Sequence, residues 1–248
     1  VDKKLSGNPL CSSWSNQNRP ACEFDRRQCP PDNLFNFIFS VIPMSATPFN
    51  HPVKPLETIR EVKPGSFIFE RLNALPNDFC DEVVRRFESS EDYQRKGVIG
   101  QLGEEDQSVK KTTDLVVSDK EDWKDIDGFF FRGMAAAIRE FRETFPYFKG
   151  PFKDLGYQVQ RYLPGEYYHW HIDGGSHQFA NRQLVAIWYL NDVAEDAGGE
   201  TQFLFQDVSV RPEKGKLVLF PPFWTHEHRA AELRSGAKYI ATTWVIFA

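Results

Sequence analysis

Apolar and polar positions recur along this chain with two different periods, and the change from one to the other divides it. Between Pro76 and about Glu88, the residues Phe79, Val83, Val84 and Phe87 fall on one face of a helix that Pro76-Asn77-Asp78 opens. A polar stretch from Ser89 to about Ser118 follows. The longest periodic run comes next. Trp123, Ile126, Phe130, Met134, Ile138, Phe141 and Phe145 step by threes and fours, so this helix is predicted to lie against a sheet. Ser118-Asp119-Lys120-Glu121 reads as a capping box at its start, and Pro146 stops it. Gly128 and Gly133 weaken it by about 1 kcal/mol each relative to alanine, so packing has to offset them.

From Gly156 the pattern shortens. Strands are predicted at about 156–163, 167–173, 182–191, 201–206, 216–220 and 238–247, with an earlier short one at Phe67-Ile68-Phe69. Pro164-Gly165, Gly174-Gly175, Gly198-Gly199, Lys214-Gly215 and Ser235-Gly236 supply the turns between them. Strands of this length and spacing point to a double-sheet jelly roll, a double-stranded β-helix, in an α+β fold whose N-terminal helices buttress one sheet. Residues 1 to about 33 are rich in Ser, Asn, Pro and Arg and lack any hydrophobic period, too polar to order themselves by burial. The expected organisation is a partly irregular arm over 1–50 and a single domain over 51–248. Helical support occupies about 76–147 of that domain and the jelly-roll core about 156–248.

Composition narrows the classes. With 248 residues, 41% hydrophobic and 26% charged, the chain is neither disordered throughout nor collagen-like nor a coiled coil. A net charge of −5 argues against a nucleic-acid partner, which calls for a basic surface. The longest apolar run, Leu34 to Pro43, is half of the roughly 20 residues a bilayer span needs, so no membrane partner is expected. Val1 follows no leader, which reads as a fragment boundary or a processed product, and a cytoplasmic location is expected with a secretory compartment as the alternative. Cys11, Cys22, Cys29 and Cys80 lack the spacing of a zinc site. They read as free thiols, three in the arm and one in a helix, with disulfides as the alternative.

Candidate chemistry gathers in the last third, where His169, His171, His177, His226 and His228 stand. Residues two apart on a strand share a face, so His171 and Asp173 converge, and so do His169 and His171. With one more histidine, His226 or His228, the first pairing becomes the two-histidine, one-carboxylate triad that holds iron(II) and leaves positions open. The second pairing suits a cupin-like site for iron, manganese or zinc. His177, after a Gly-Gly turn, and His51, in a proline-flanked loop, read as ordinary surface histidines.

The run Tyr162-Leu163-Pro164-Gly165-Glu166-Tyr167-Tyr168-His169-Trp170-His171-Ile172-Asp173 resembles the Tyr-x-Pro-Gly-x-x-Tyr-x-x-His-x-Asp pattern of the prolyl 4-hydroxylase branch of the 2-oxoglutarate and iron(II)-dependent dioxygenases. Trp188-Tyr189-Leu190-Asn191-Asp192-Val193, Gly198-Gly199-Glu200-Thr201 and Pro212-x-x-Gly215 resemble its middle strands. In that branch the distal histidine stands ten positions before a lysine and the lysine six before a tryptophan, spacings that His228, Lys238 and Trp244 keep. The resemblance implies iron ligands at His171, Asp173 and His228, with His226 lining the pocket or hydrogen-bonding beside them. It implies 2-oxoglutarate binding by Lys238, Tyr162 and Thr201, with Arg229 and Arg234 as competing cations. A dianionic cosubstrate that chelates iron at one end needs a cation for its other carboxylate, and lysine is a point charge on a flexible stem. Related halogenases lack the carboxylate, so Asp173 implies hydroxylation of an unactivated C–H bond, with Fe(II), 2-oxoglutarate and O2 consumed or bound and ascorbate as a possible reductant. Succinate and CO2 are released. Trp170, Trp188, Phe223 and Trp224 are expected as pocket walls. The implied substrate is a prolyl residue in a peptide or protein, with a small molecule as the alternative. Two rival readings are a cupin-like metalloprotein that does not use 2-oxoglutarate and a non-catalytic peptide-binding jelly roll.

Overall fold

The computed structural model describes residues 58–100 and 103–248. The expectations for residues 1–50, for His51 and for Cys11, Cys22 and Cys29 lie outside them. The described strands are β1 (Arg60–Glu61), β2 (Phe69–Arg71), β3 (Arg95–Lys96), β4 (Lys110–Lys111), β5 (Thr113–Val116), β6 (Phe152–Asp154), β7 (Gln158–Tyr162), β8 (Tyr167–His171), β9 (Arg182–Tyr189), β10 (Thr201–Phe203), β11 (Val208–Val210), β12 (Leu217–Phe220), β13 (His228–Ala230) and β14 (Lys238–Phe247). Two helices, α1 (Asn77–Glu88) and α2 (Lys124–Thr144), precede most of them.

The strands form two antiparallel sheets, a mixed α+β architecture. The larger runs β1-β2-β12-β9-β14-β7-β5-β3, with β6 also on β14, and the smaller runs β11-β10-β13-β8-β4. Each face of the larger sheet has its own apolar cover, which is why β9, β12 and β14 read as nearly unbroken apolar runs. On the outer face, Phe79, Val83 and Phe87 of α1 and Ile126, Phe130, Met134 and Phe141 of α2 pack on Val159, Trp188 and Ala241. Phe130 sits at the centre, its ring 5.3 Å from those of Phe79 and Tyr157 and 5.4 Å from Trp188. On the inner face, Val185, Ile187, Val218, Phe220 and Ile240 meet Phe203 of the smaller sheet. Even-numbered residues of β14 from Lys238 to Trp244 therefore point between the sheets, where the site lies.

Three local expectations differ from the structure. The capping box does not form: a short 3-10 turn over Glu121–Trp123 leads into α2, whose N-cap has no side-chain bond. Ser118 instead donates its hydroxyl to the Asp127 carboxylate and accepts the Tyr157 N–H at 2.8 Å, tying α2 to the strand that follows. The early strand starts at Phe69, because Phe67 takes a left-handed backbone with φ of 55°. The strand predicted at 167–173 ends at His171. No helix among the described residues is long and apolar enough to cross a membrane.

Candidate metal centre and its cavity

His171 is the last residue of β8 and His228 the first of β13, and their Cα atoms are cross-strand partners. Asp173 follows two residues after β8, its N–H donated to Pro222 O at 3.1 Å. One ligand atom from each of the three lies within 4.8 Å of the others. Each histidine hydrogen-bonds through Nδ1 to the carbonyl two residues before it, His171 to His169 O at 2.7 Å and His228 to His226 O at 2.9 Å. A carbonyl only accepts, so Nδ1 carries a proton in both and Nε2 is the nitrogen turned toward a metal. The Nε2 of His228 faces Asp173 Oδ2 at 3.2 Å. Burial and the nearby His228 push the His171 pKa down to about 3, so its ring is neutral at physiological pH. Burial works against the Asp173 carboxylate, yet contact with His228, reinforced by His171 and Arg182, holds it at about 2. A neutral imidazole at His171, the Nε2 of His228 beside it and an ionised carboxylate fit a divalent cation of the iron(II) kind.

The centre opens onto a cavity of about 260 Å³ between the sheets. Lys238 closes the far end. It is fully buried, a cross-strand partner of Tyr162, and gives Nζ to the Gly199 carbonyl at 2.7 Å. The ammonium also sits 4.6 Å from the Tyr162 ring centroid and 6.0 Å from that of Tyr189. Burial brings its pKa down to about 7, against a smaller opposing pull from Glu200. No carboxylate among the described residues pairs with it, so the anion that suits it must be a ligand. The Gly198-Gly199 signal has a steric reason: at φ of 76° a Cβ on Gly198 would stand 2.4 Å from Glu232 O. Thr201 lines the same cavity and accepts the Tyr189 hydroxyl at 2.7 Å, while Tyr162 donates its own to Gln160 Oε1 at 3.3 Å.

The other predicted residues separate cleanly. His169 is exposed and lies against Tyr167 on the outer side of β8, because the strand carries an extra residue between Tyr168 and His171, the partners of Ala230 and His228. It does not converge with His171. His226 is buried, but it sits on a 3-10 turn, gives Nε2 to Ser66 O at 2.9 Å and contacts the Thr225 hydroxyl at 2.9 Å through Nδ1, so it hydrogen-bonds and lines nothing. His177 is exposed. Arg229 lies 4.7 Å over the Trp170 ring and Arg234 donates to Asp196 O, both away from the cavity. The expected aromatic walls are also elsewhere. Trp188 packs in the helix-side core, Trp170 under Arg229, Trp224 is 71% exposed, and Phe223 is not among the lining residues.

Groups the sequence reading missed fill those places. Tyr168 stacks on His171 with ring centroids 3.6 Å apart. Arg182 is held between the rings of Phe179 and Trp244, at 4.0 Å from each centroid, and donates Nη1 to Asp173 O at 2.7 Å. Its Nε, the Trp244 Nε1 and the Thr242 hydroxyl line the cavity wall with no partner. Lys110 enters from the smaller sheet, paired at 2.6 Å with Asp114, which also receives Thr112 Oγ1 and Gln158 Nε2. The step from Tyr168 to His171 and the even positions of β14 are the signals that could have found Tyr168 and the Thr242 and Trp244 side of the wall.

Residues 157–246 match the family model described as 2OG-Fe(II) oxygenase superfamily. No curated protein matches the sequence. Among solved structures, the viral collagen prolyl hydroxylase of Paramecium Bursaria Chlorella virus-1, solved with 2OG, is 21% identical, with a TM-score of 0.55 over 76% of this chain and 99% of that one. A Trichoplax adhaerens prolyl hydroxylase, in complex with a hypoxia inducible factor oxygen degradation domain peptide fragment, is 16% identical, with a TM-score of 0.63 over 73% of this chain and 84% of that one. A Pseudomonas putida prolyl-4-hydroxylase is 16% identical, with a TM-score of 0.58 over 73% and 93%. At these identities the likeness is one of fold. The match over residues 157–246 makes the jelly roll of this chain similar to the 2OG-Fe(II) oxygenase superfamily, a likeness that implies iron(II), 2-oxoglutarate and O2.

Proposed function

We propose that this protein hydroxylates an unactivated C–H bond of a prolyl residue in a peptide or protein. The observation that carries the reading is the arrangement of one cavity: three metal-binding side chains at its open end and a buried ammonium without a carboxylate at its closed end. His171 and His228, through Nε2, and Asp173, through its carboxylate, would hold the iron. Lys238 would take the far carboxylate of 2-oxoglutarate, flanked by Tyr162 and Thr201. Iron(II) and 2-oxoglutarate, when bound, would use O2 as oxidant, one oxygen atom going to succinate as CO2 is lost and the other to the C–H bond.

The chain's own groups orient and seclude. Tyr168 fixes the plane of the His171 imidazole, and the Nδ1 bonds of both histidines hold their donor nitrogens toward one point. Val185, Ile187 and Ile240 keep the passage between metal and lysine apolar, which limits water. Arg182, its guanidinium held between the Phe179 and Trp244 rings, has a donor to offer a substrate carbonyl. The prolyl assignment draws support from the names of the three structural neighbours and from this pocket. A cupin-like site would need His169 beside His171, and His169 points away.

The test is a panel of proline-containing peptides and small metabolites, including free proline, with iron(II) and 2-oxoglutarate, read by succinate release and by the mass gain of one oxygen atom. Peptide hydroxylation supports the reading. Succinate release coupled only to a metabolite would replace the substrate, and no 2-oxoglutarate turnover at all would remove the reaction.

A further inference from the structure

Lys110 lines the cavity and forms with Asp114 a buried ion pair that the proposed function leaves unused. The ammonium and the carboxylate are 2.6 Å apart, and the two side chains are 4% and 0% exposed. Asp114 accepts two further hydrogen bonds, from Thr112 Oγ1 at 2.7 Å and from Gln158 Nε2 at 2.5 Å. Gly97 closes over the pair, since a Cβ there would stand 2.0 Å from Thr112 Oγ1 and 2.9 Å from Lys110 Cε. Stability does not call for such a pair: desolvating two charges cancels most of their attraction, and apolar residues of similar volume commonly do as well.

The pair has a direction. Lys110 belongs to β4, in the smaller sheet that also carries His171 and His228, whereas Asp114 belongs to β5, in the larger one. Its positive end is therefore on the side of the metal centre. Lys110 is the cross-strand partner of Tyr168 and puts Nζ 5.3 Å from the centroid of that ring. His171 lies flat on the same ring, with centroids 3.6 Å apart. One aromatic side chain thus touches both the ammonium and a metal-binding imidazole. Over two such contacts a buried charge is little screened.

We infer that Lys110 is a positioning residue whose positive charge, oriented by Asp114 and brought to the centre beside Tyr168, sets how tightly the centre holds its metal and which oxidation state of iron it favours. The inference rests on His171, Asp173 and His228 being the iron ligands. A positive charge on their side of the cavity repels a dication and so loosens the metal. It repels a trication more, so it keeps bound iron divalent. The centre accordingly holds iron less tightly than its ligands alone would, and resists its oxidation more. Asp114 limits the first effect by drawing part of the field of the ammonium away toward the larger sheet.

The test is anaerobic competition between the full chain and a chelator for iron(II), without 2-oxoglutarate. Lys110→Met should bind iron(II) about tenfold more tightly than wild type. The sign is the same whether Asp114 then stays ionised or takes up a proton, because the nearer positive charge is gone in either case. Asp114→Asn leaves the ammonium unopposed and should bind about tenfold more weakly. Lys110→Met with Asp114→Asn, uncharged throughout, guards against a loss of fold and should again bind more tightly than wild type. A merely structural role would weaken all three. The midpoint potential of the bound Fe(III)/Fe(II) couple, its single electron exchanged with a mediator dye, should fall in Lys110→Met by about 59 mV, a tenfold change in the ratio of the two states. Iron(II) affinity in Lys110→Met and in the double variant equal to or weaker than that of wild type, or an unmoved potential, overturns the inference. It is overturned even if half-saturation for 2-oxoglutarate changes, since Lys110 would then be a ligand of the cosubstrate. If His171→Ala holds iron(II) as tightly as wild type, the centre itself is misplaced and the inference falls with it.

Discussion

If Lys238 takes the far carboxylate of 2-oxoglutarate as proposed, binding of that cosubstrate is pH-dependent in a range where few lysines titrate. The Lys238 pKa of about 7 reflects burial, which outweighs the pull of Glu200 and the contacts with a carbonyl and two aromatic rings. A bound carboxylate stabilises the ammonium and raises that pKa, so the protonated form is the one that binds. The protonated fraction is about ten elevenths near pH 6 and about one eleventh near pH 8, and the apparent Kd for 2-oxoglutarate should therefore rise about tenfold across that interval. The sign for folding is the opposite. Free lysine binds protons up to its ordinary range, so between about 7 and 10.5 the unfolded chain binds more, and this group makes the ligand-free protein more stable as pH rises through that window. The assay is titration calorimetry of 2-oxoglutarate into the anaerobic iron-loaded protein, in two buffers of different ionisation enthalpy. Near pH 7 about half a proton should be taken up per ligand bound. Lys238→Arg is the control, since guanidinium keeps its charge throughout. A Kd that does not change with pH, or that changes equally in Lys238→Arg, would refute the assignment of the titration to this side chain.

Other outcomes can be checked directly. His171→Ala, Asp173→Ala and His228→Ala should each abolish iron-dependent 2-oxoglutarate turnover, whereas His226→Ala should keep it and lose about 1–3 kcal/mol in chemical denaturation, since the buried Ser66 carbonyl loses its donor. Gly198→Ala drives a Cβ against Glu232 O, so the loop carrying the Gly199 carbonyl must shift; half-saturation for 2-oxoglutarate should rise while iron affinity by chelator competition stays put. Asp114→Ala leaves Lys110 as an unpaired buried cation and should cost about 3–5 kcal/mol of stability.

Periodicity made the architecture readable where elements were long. The apolar stripe from Trp123 to Phe141 is buried in the structure except at the half-buried Ile138, because a helix this long repeats its period several times. The three-residue β11 and β13 offer too few positions for a period and were not foreseen. Ser118 had the composition of a cap, but a nearby carboxylate and a strand N–H claimed its hydroxyl. At the site, residue types two apart suggested both His169 and Asp173 as companions of His171, and only the three-dimensional path of β8 separates them. The aromatic walls were misjudged for a related reason. Tryptophan in a strand does not reveal which of two apolar faces it enters, and Trp188 enters the helix side. Lys110 and Asp114 sit in a polar stretch, where nothing local distinguishes a buried ion pair from a solvated one.

The extra residue in β8 has a metric consequence. A regular strand advances about 3.3 Å per residue and alternates faces, so residues three apart stand about 10 Å apart along it and on opposite faces. The Tyr168 and His171 rings lie 3.6 Å apart at 14°. The irregularity therefore brings onto one face, a ring laid flat against a ring, two residues that a regular strand would set on opposite faces.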